Sequence, residues 1–321
     1  MRPDENGAER IEADVPSMLD LIRLSRRPLF PPGGVELCRQ IALLTEMKAG
    51  DEVLVVPAEL AVTLEYYVAE HGVVGSGVES DPTVIERAEE RLRSRGMLER
   101  VHIQPGQMDG LPFRDGIFDV VVAELGLTSR AAPEEAAREL VRVAKPGSSV
   151  VVVQPVWKAP VDPERRAVLS QHLGCRPLMV VEWKRLLMEA GLEDLHTENW
   201  SDEETAFRPQ IRKPFPDFTE LFSPAEKLGI LRRARHRWGW AGVWTVWARE
   251  REVHKVLTRE RLLGLDLVKG VKREGEAATT PADPPPASVA PEKENPGREQ
   301  EVGGAPEGQV TGLPLFDGDT P

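Results

Sequence analysis

Apolar positions along this chain follow two rhythms: short unbroken runs, and longer stretches in which they recur every three or four residues. The runs Val53 to Val56, Val73 to Val78, Val101 to Gln104, Ile117 to Ala123 and Ser149 to Gln154 read as strands, with further strands near Leu195 and over Leu262 to Val271. Helical spacing fills the intervals. Val35 to Met47 sets Leu37, Ile41 and Leu44 on one face, and Asp81 and Pro82 supply the N-cap and first turn of a helix through Leu92. Pro133 opens another helix, with Ala137, Leu140, Val141 and Ala144 pointing one way, and Val180 to Ala190 forms the next. The runs at Ile117 and Ser149 are almost wholly apolar, as parallel strands covered on both faces require. Alternating strands and helices predict an α/β, doubly wound, mostly parallel sheet of seven strands.

The pattern changes at Ser223. Ser223-Pro224-Ala225-Glu226 is a capping box with proline in the first turn. The helix it opens is rich in arginine, Gly239 and Gly242 are expected to break it, and a second helix is expected to run to about Arg261. Trp240, Trp244 and Trp247 share one face of that second helix. They are expected to pack on the domain beneath while the arginines reach outward, the two helices forming a lid. Beyond Glu274 the chain is rich in Pro, Glu, Ala and Gly, and predicts disorder. The expected organisation is an N-terminal extension with a short helix (1–30), a core (31–200), a helical lid with the last sheet strand (201–273) and an acidic tail (274–321).

Charge sharpens this division. The formal net charge is −12, but residues 274–321 hold ten acidic and two basic residues and so carry two-thirds of it. The remainder is only mildly acidic, which argues against a broad nucleic-acid surface. No apolar run approaches the ~18 residues of a membrane span, so a soluble, cytoplasmic protein without membrane partners is expected. Cys38 and Cys175, far apart and in no metal spacing, are expected to be free thiols, and the six histidines are scattered, so no metal site is expected.

Candidate chemistry lies between Val53 and Glu79, which have the outline of a nucleotide-binding βαβ unit. Glu79 ends the second strand about 20 positions after the first turn, where an acidic residue usually holds a ribose hydroxyl pair. The turn itself is Pro57-Ala58-Glu59-Leu60-Ala61, with no glycine. Proline removes a backbone donor and Glu59 brings a carboxylate to the turn, so the frame and the turn disagree. Farther along, Glu124 follows the fourth strand, where open α/β sheets bind their ligands, and is the candidate catalytic base. Gln154, Trp157 and Lys158 follow the fifth strand and could touch a second ligand.

Several segments in order resemble the class I S-adenosylmethionine-dependent methyltransferases. Gly77-Val78-Glu79-Ser80-Asp81-Pro82 is similar to the ribose-binding strand end of that family, and Leu111-Pro112-Phe113-Arg114-Asp115-Gly116-Ile117-Phe118-Asp119 to its fourth-strand motif. Glu139-Leu140-Val141-Arg142-Val143-Ala144-Lys145-Pro146-Gly147 resembles the helix and turn before its fifth strand, Ala190-Gly191-Leu192 the end of the following helix, and Pro32-Gly33-Gly34 the lead-in of a subset. The family's first strand and turn read hydrophobic-hydrophobic-Asp-hydrophobic-Gly-x-Gly-x-Gly, against Val53 to Ala61 here, so Val55 stands for the Asp, and Pro57, Glu59 and Ala61 for the glycines. The resemblance implies a Rossmann-like fold, S-adenosylmethionine as cofactor and a small-molecule acceptor. It places cofactor contacts at Pro57, Ala58, Glu59, Glu79, Ser80, Gln107, Met108 and Glu124, with Gln107 where an Asp commonly meets the adenine amino group. The rival expectation is a pseudo-methyltransferase, the fold kept for binding or as a partner subunit.

Because nothing in residues 274–321 has the apolar content to join a core, truncation after Arg273 is expected to leave the melting temperature and cofactor affinity unchanged, as differential scanning calorimetry and ligand titration would read. A large loss of stability would identify a docked segment.

Overall fold

Alternation along the strands sorts their side chains into two cores. Leu54, Val56, Val121, Ala123, Val150 and Val152 face one way, and Val53, Val55, Val120, Val122, Val151 and Val153 face the other. Because a strand's side chains point to opposite faces at successive residues, three all-apolar runs side by side oblige the chain to cover both faces. The computed structural model describes residues 16–25, 27–129, 131–201, 222–254, 260 and 262–274, and in it that demand is met. The strands are β1 (Glu52–Val56), β2 (Val74–Glu79), β3 (Val101–Pro105), β4 (Phe118–Ala123), β5 (Ala144–Trp157), β6 (Leu178–Met179), β7 (Leu192–Asn199) and β8 (Leu263–Lys272). The helices are α1 (Met18–Arg23), α2 (Gly34–Leu44), α3 (Val62–His71), α4 (Pro82–Ser94), α5 (Pro133–Val143), α6 (Pro163–Leu173), α7 (Val180–Glu189) and α8 (Pro224–His254). Leu37 and Ile41 of α2, Leu64 and Tyr67 of α3 and Leu92 of α4 fill one core; Ala136 and Leu140 of α5 and Trp183 and Leu187 of α7 fill the other.

The seven expected strands form one sheet in the order β3-β2-β1-β4-β5-β8-β7, and two-residue β6, paired to the far end of β5, adds an eighth. β1 to β5 run parallel, whereas β8 lies antiparallel between β5 and β7. From β1 the chain proceeds outward through β2 to β3, then returns to lay β4 on the opposite side of β1. This reversal leaves a crevice at the carboxyl ends of β1 and β4, where open α/β sheets take ligands.

Local differences have local causes. β5 begins at Ala144, ahead of the expected Ser149, because Ala144 pairs with Phe118 before a bulge carries the register on to Ser149 and Val120. The Glu139-x-x-Arg142 segment ties a loop down: Arg142 grips Glu139 at 2.7 Å and reaches Asp115 and the carbonyls of Phe113 and Leu111, while Glu139 also accepts the Leu111 N–H. Cys38 and Cys175 are free and buried.

In α8 the Ser223 capping box forms, with reciprocal hydrogen bonds between Ser223 and Glu226. The helix kinks at Gly239 (φ 70°) but not at Gly242. Gly242 serves packing: a Cβ there would lie 2.3 Å from that of Trp238. The expected burial of the tryptophan face is overturned. Trp240, Trp244 and Trp247 are 60%, 64% and 51% exposed, whereas Ile230 packs with Leu21 and Phe222 and Ala234 is buried. Arg235 stacks on Trp240 and Arg251 on Trp247, so arginines lie over the exposed rings. The expected end of this second helix near Arg261, and the whole tail from residue 275, lie outside the described residues. Among the described residues no helix is long and apolar enough to cross a membrane.

Gly77 of β2 sits beneath the turn that follows β1, where a Cβ would lie 2.6 Å from Cβ of Ala58 and 3.0 Å from Leu64. Gly77→Ala is therefore expected to cost about 1–3 kcal/mol by overpacking, read as a lower urea midpoint, with much of the loss regained in Gly77→Ala/Ala58→Gly. An unchanged midpoint would mean that the turn yields freely.

Candidate functional site

The switch point is assembled from the ends of β1, β2 and β4. The Glu124 N–H donates to the Val56 carbonyl at 2.8 Å, fastening the chain after β4 to the last residue of β1. Val56 is joined to Pro57 by a cis peptide bond, and the Ala58 N–H donates to the Val78 carbonyl of β2 at 2.8 Å. Two left-handed residues follow, Glu59 (φ 46°) and Ala61 (φ 56°), before α3 begins. Neither is glycine, and a left-handed conformation costs an L-residue about 1–2 kcal/mol. Such strain persists only where the surroundings enforce it.

Glu79, at the end of β2, is 3% exposed. Its Oε1 accepts from the N–H groups of Ser80 (2.8 Å) and Asp81 (3.2 Å), and its Oε2 from the Glu59 N–H (3.2 Å). Both oxygens are thus oriented by main chain, one of these donors being supplied by the left-handed turn. The Glu59 carboxylate points elsewhere, accepting from Nε (3.0 Å) and Nη2 (2.8 Å) of Arg23 in α1. Burial alone would lower the Arg23 pKa; the charge of Glu59, its hydrogen bond and the charge of Glu79 hold the guanidinium above its ordinary value.

Glu124 lies on the other side of the crevice, 8% exposed. Burial pushes its carboxyl up to about 7, the Glu59 charge adds to the rise and a hydrogen bond from Thr63 opposes it. Gln154 of β5 donates through Nε2 to the Glu124 main-chain carbonyl. Glu124 Oε1 and Gln154 Oε1 are buried with no hydrogen-bond partner. Buried acceptors without donors carry a desolvation cost that a protonated or N–H-bearing group would relieve. Cys38 and Tyr67 stand close enough to Glu124 to feel its charge: burial first and Glu124 second raise the Cys38 thiol, and burial first, then Cys38, then Glu124 raise the Tyr67 hydroxyl.

Of the residues marked in the sequence, the fold gathers Pro57, Ala58, Glu59, Glu79, Ser80 and Glu124 at one crevice. Gln107 is exposed on the loop after β3, bridging to Gly110, and Met108 is buried in the core beside Val78 and Leu111. Trp157 is core packing among Leu169, Leu173 and Leu263, and Lys158 is committed to Asp266 at 2.5 Å, so neither fronts the crevice as an acceptor contact. Sequence reasoning missed Arg23 and Thr63. Arg23 carries no motif and lies 36 residues from its partner, so only the fold reveals it.

Comparison with known proteins follows the same outline. A family profile described as a methyltransferase domain matches residues 63–152. Norajmaline N-methyltransferase of Rauvolfia serpentina is 24% identical over 47% of this chain and 55% of its own length. An uncharacterized protein of Haemophilus influenzae is 26% identical over 59% and 76%. The chain thus spans only about half of the first of these relatives. Among solved structures, an S-adenosylmethionine-dependent methyltransferase from Thiobacillus denitrificans, in complex with S-adenosyl-L-homocysteine, aligns with a TM-score of 0.59 at 18% identity, covering 81% of this chain and all of that one. The cyclase SpnF aligns with a TM-score of 0.58 at 22% identity over 75% and 82%. At these identities the likeness is one of fold, and the [4+2]-cyclase SpnF shares that fold.

The raised Glu124 carboxyl makes a stability prediction. Below about pH 4.5 it is protonated in folded and unfolded chains alike; between 4.5 and 7 the unfolded chain ionises first, so stability falls as pH rises and levels off above 7. The full decline is about 3 kcal/mol, and Glu124→Gln is expected to abolish it in urea melts across this window. An equally steep decline in the variant would place the titration on another group.

Proposed function

The chain belongs, by fold and domain, to the class I S-adenosylmethionine-dependent methyltransferases, and from that premise we propose that it transfers the methyl group of S-adenosylmethionine to a small-molecule acceptor with an N–H or O–H group. One observation carries this reading. Glu59 and Ala61 occupy two of the family's three glycine positions, and both keep the left-handed backbone that glycine would adopt without strain. A turn with no cofactor to shape would be expected to relax once its glycines were lost. Strain retained in both places supports a working site rather than a relic.

The residues present suit the donor. Glu79 is oriented to receive ribose hydroxyls, since its Oε2 accepts a single N–H and retains capacity for another donor. Ser80 and the main chain of Pro57, Ala58 and Glu59 border the same crevice, and Gln107 and Met108 lie on the loop after β3, where the resemblance puts the adenine. Glu59 would oppose the cofactor's carboxylate if it stood alone, at about 4 kcal/mol for a unit charge ~4 Å away. Its pairing with Arg23 removes that opposition. When bound, S-adenosylmethionine supplies the methyl group already activated on its sulfonium. The chain's part is then to orient the acceptor and take its proton. Glu124 is the proton acceptor in this reading, held near neutrality by burial, with Gln154 Oε1 as a second acceptor for the substrate's N–H or O–H.

Calorimetric titration of the full chain with S-adenosylhomocysteine is expected to show binding, and Glu79→Ala to weaken it about tenfold or more, the loss of a charge-assisted hydrogen bond. Glu124→Gln should lower turnover of labelled S-adenosylmethionine on a panel of amines and phenols by ~10²-fold or more, a larger loss than any change in that affinity. No binding of the homocysteine product at about millimolar concentration would sink the reading. Binding without turnover on any acceptor would favour the non-catalytic alternative.

A further inference from the structure

A cavity of about 240 Å³ lies between α1, the start of α4 and α8, beside the crevice but not within it. Four guanidiniums line it: Arg23 from α1, Arg87 from α4, and Arg233 and Arg237 from α8. They stand against two carboxylates, Asp20 and Asp81. Both carboxylates already cap helices. Asp20 Oδ2 accepts from the main-chain N–H and hydroxyl of Ser17, each at 2.8 Å, and Asp81 Oδ1 from the N–H and hydroxyl of Thr83 at 2.9 and 2.8 Å.

The arginines are held in place at one edge. Arg87 Nη2 donates to the Ser25 carbonyl at 3.1 Å and Arg233 Nε to the Leu24 carbonyl at 2.7 Å, both at the end of α1. Arg23 is fixed by Glu59, and Arg237 lies over the Trp238 ring at 5.4 Å. At Arg87 the carbonyl orients the guanidinium without neutralising it. Among the described residues neither Arg87 nor Arg237 has a carboxylate within ion-pair distance. Four guanidiniums against the two lining carboxylates leave an excess of positive charge, drawn from three elements far apart in sequence, that a bound anion would offset. Fixed planar forks of this kind match the oxygens of a phosphoryl group, to which arginine donates in pairs. The volume falls below the ~300–1,000 Å³ of pockets for drug-sized molecules, which suits a head group rather than a whole ligand.

We propose that this cavity binds the phosphate or diphosphate group of the acceptor. Arg23 makes the connection, since the same side chain lines the cavity and grips Glu59 of the turn, so a phosphoryl group held there leaves the rest of its molecule beside the crevice. Assigning that anion to an acceptor rests on the methyl-transfer reading; the anion site itself does not.

The test is calorimetric titration of the full chain with inorganic pyrophosphate and with hexyl phosphate, without cofactor, at fixed salt. Pyrophosphate is expected to bind and hexyl phosphate to bind also. Arg87→Gln and Arg237→Gln, both at exposed positions, should each weaken binding about tenfold, while Arg93→Gln, outside the cavity on α4, should leave it unchanged. The melting temperature and S-adenosylhomocysteine affinity of all three variants should match the wild type. No binding of either anion at about 10 mM, or an equal loss in Arg93→Gln, overturns the site. Binding of pyrophosphate with rejection of hexyl phosphate overturns the ester-bearing acceptor. If the anions bind as expected but S-adenosylhomocysteine does not, the site stands and the acceptor assignment falls with the methyl-transfer reading.

Discussion

The backbone path from Pro57 to Ala61 is the constraint on which the site depends. In five residues it carries the chain from β1 to α3 through two left-handed conformations at residues that are not glycine. The opposing terms are on view: the Ala58 N–H satisfied by Val78, the Ala61 N–H by Ala58, the Glu59 N–H by Glu79, and Ala61 itself buried at 1%. A few kcal/mol of strain is offset by hydrogen bonds and burial that exist only if the path is kept. The same path sets Ala58 over Gly77, sends the Glu59 side chain to Arg23 and starts α3 so that Thr63 meets Glu124.

Electrostatics around this turn then follow from placement. Three carboxylates, Glu59, Glu79 and Glu124, converge on one crevice, and each is handled differently. Glu79 is oriented by main-chain donors, Glu59 is neutralised by an arginine, and Glu124 is left with an unpartnered oxygen and pushed towards neutrality. Of the three, only Glu124 is left without a donor on one oxygen, and burial is what raises its pKa. Arg23 couples this arrangement to the N-terminal segment, so α1, far from the glycine-type turn in sequence, belongs to the same functional unit.

Helix α8 shows how an apolar stripe can mislead. Trp240, Trp244 and Trp247 recur at helical spacing, the usual mark of a buried face, yet the kink at Gly239 redirects the second half of the helix and leaves those rings in solvent. The first half keeps its apolar side against α1, and from there Arg233 reaches Leu24 and the cationic cavity takes shape. A single glycine conformation decides which side chains pack and which remain available.

Read alone, the sequence determined the parts governed by local or periodic rules. Strand runs needing cover on both faces, the Asp81-Pro82 and Ser223-Pro224 helix starts, the spacing from β1 to Glu79 and the Glu139–Arg142 segment were all legible, because alternation, capping and short-range spacing act over a few residues. The positions of Pro57, Ala58, Glu59, Glu79, Ser80 and Glu124 at one crevice followed from strand order. What only the tertiary structure decided were pairings through space: Arg23 with Glu59, Thr63 with Glu124, Arg87 and Arg233 with the end of α1, and the commitment of Lys158 to Asp266. It also decided that Glu59 and Ala61 would keep a glycine-like path, and that the tryptophan face would stay open. These depend on which surfaces meet, and contacts between residues distant in the chain leave no periodic trace in it.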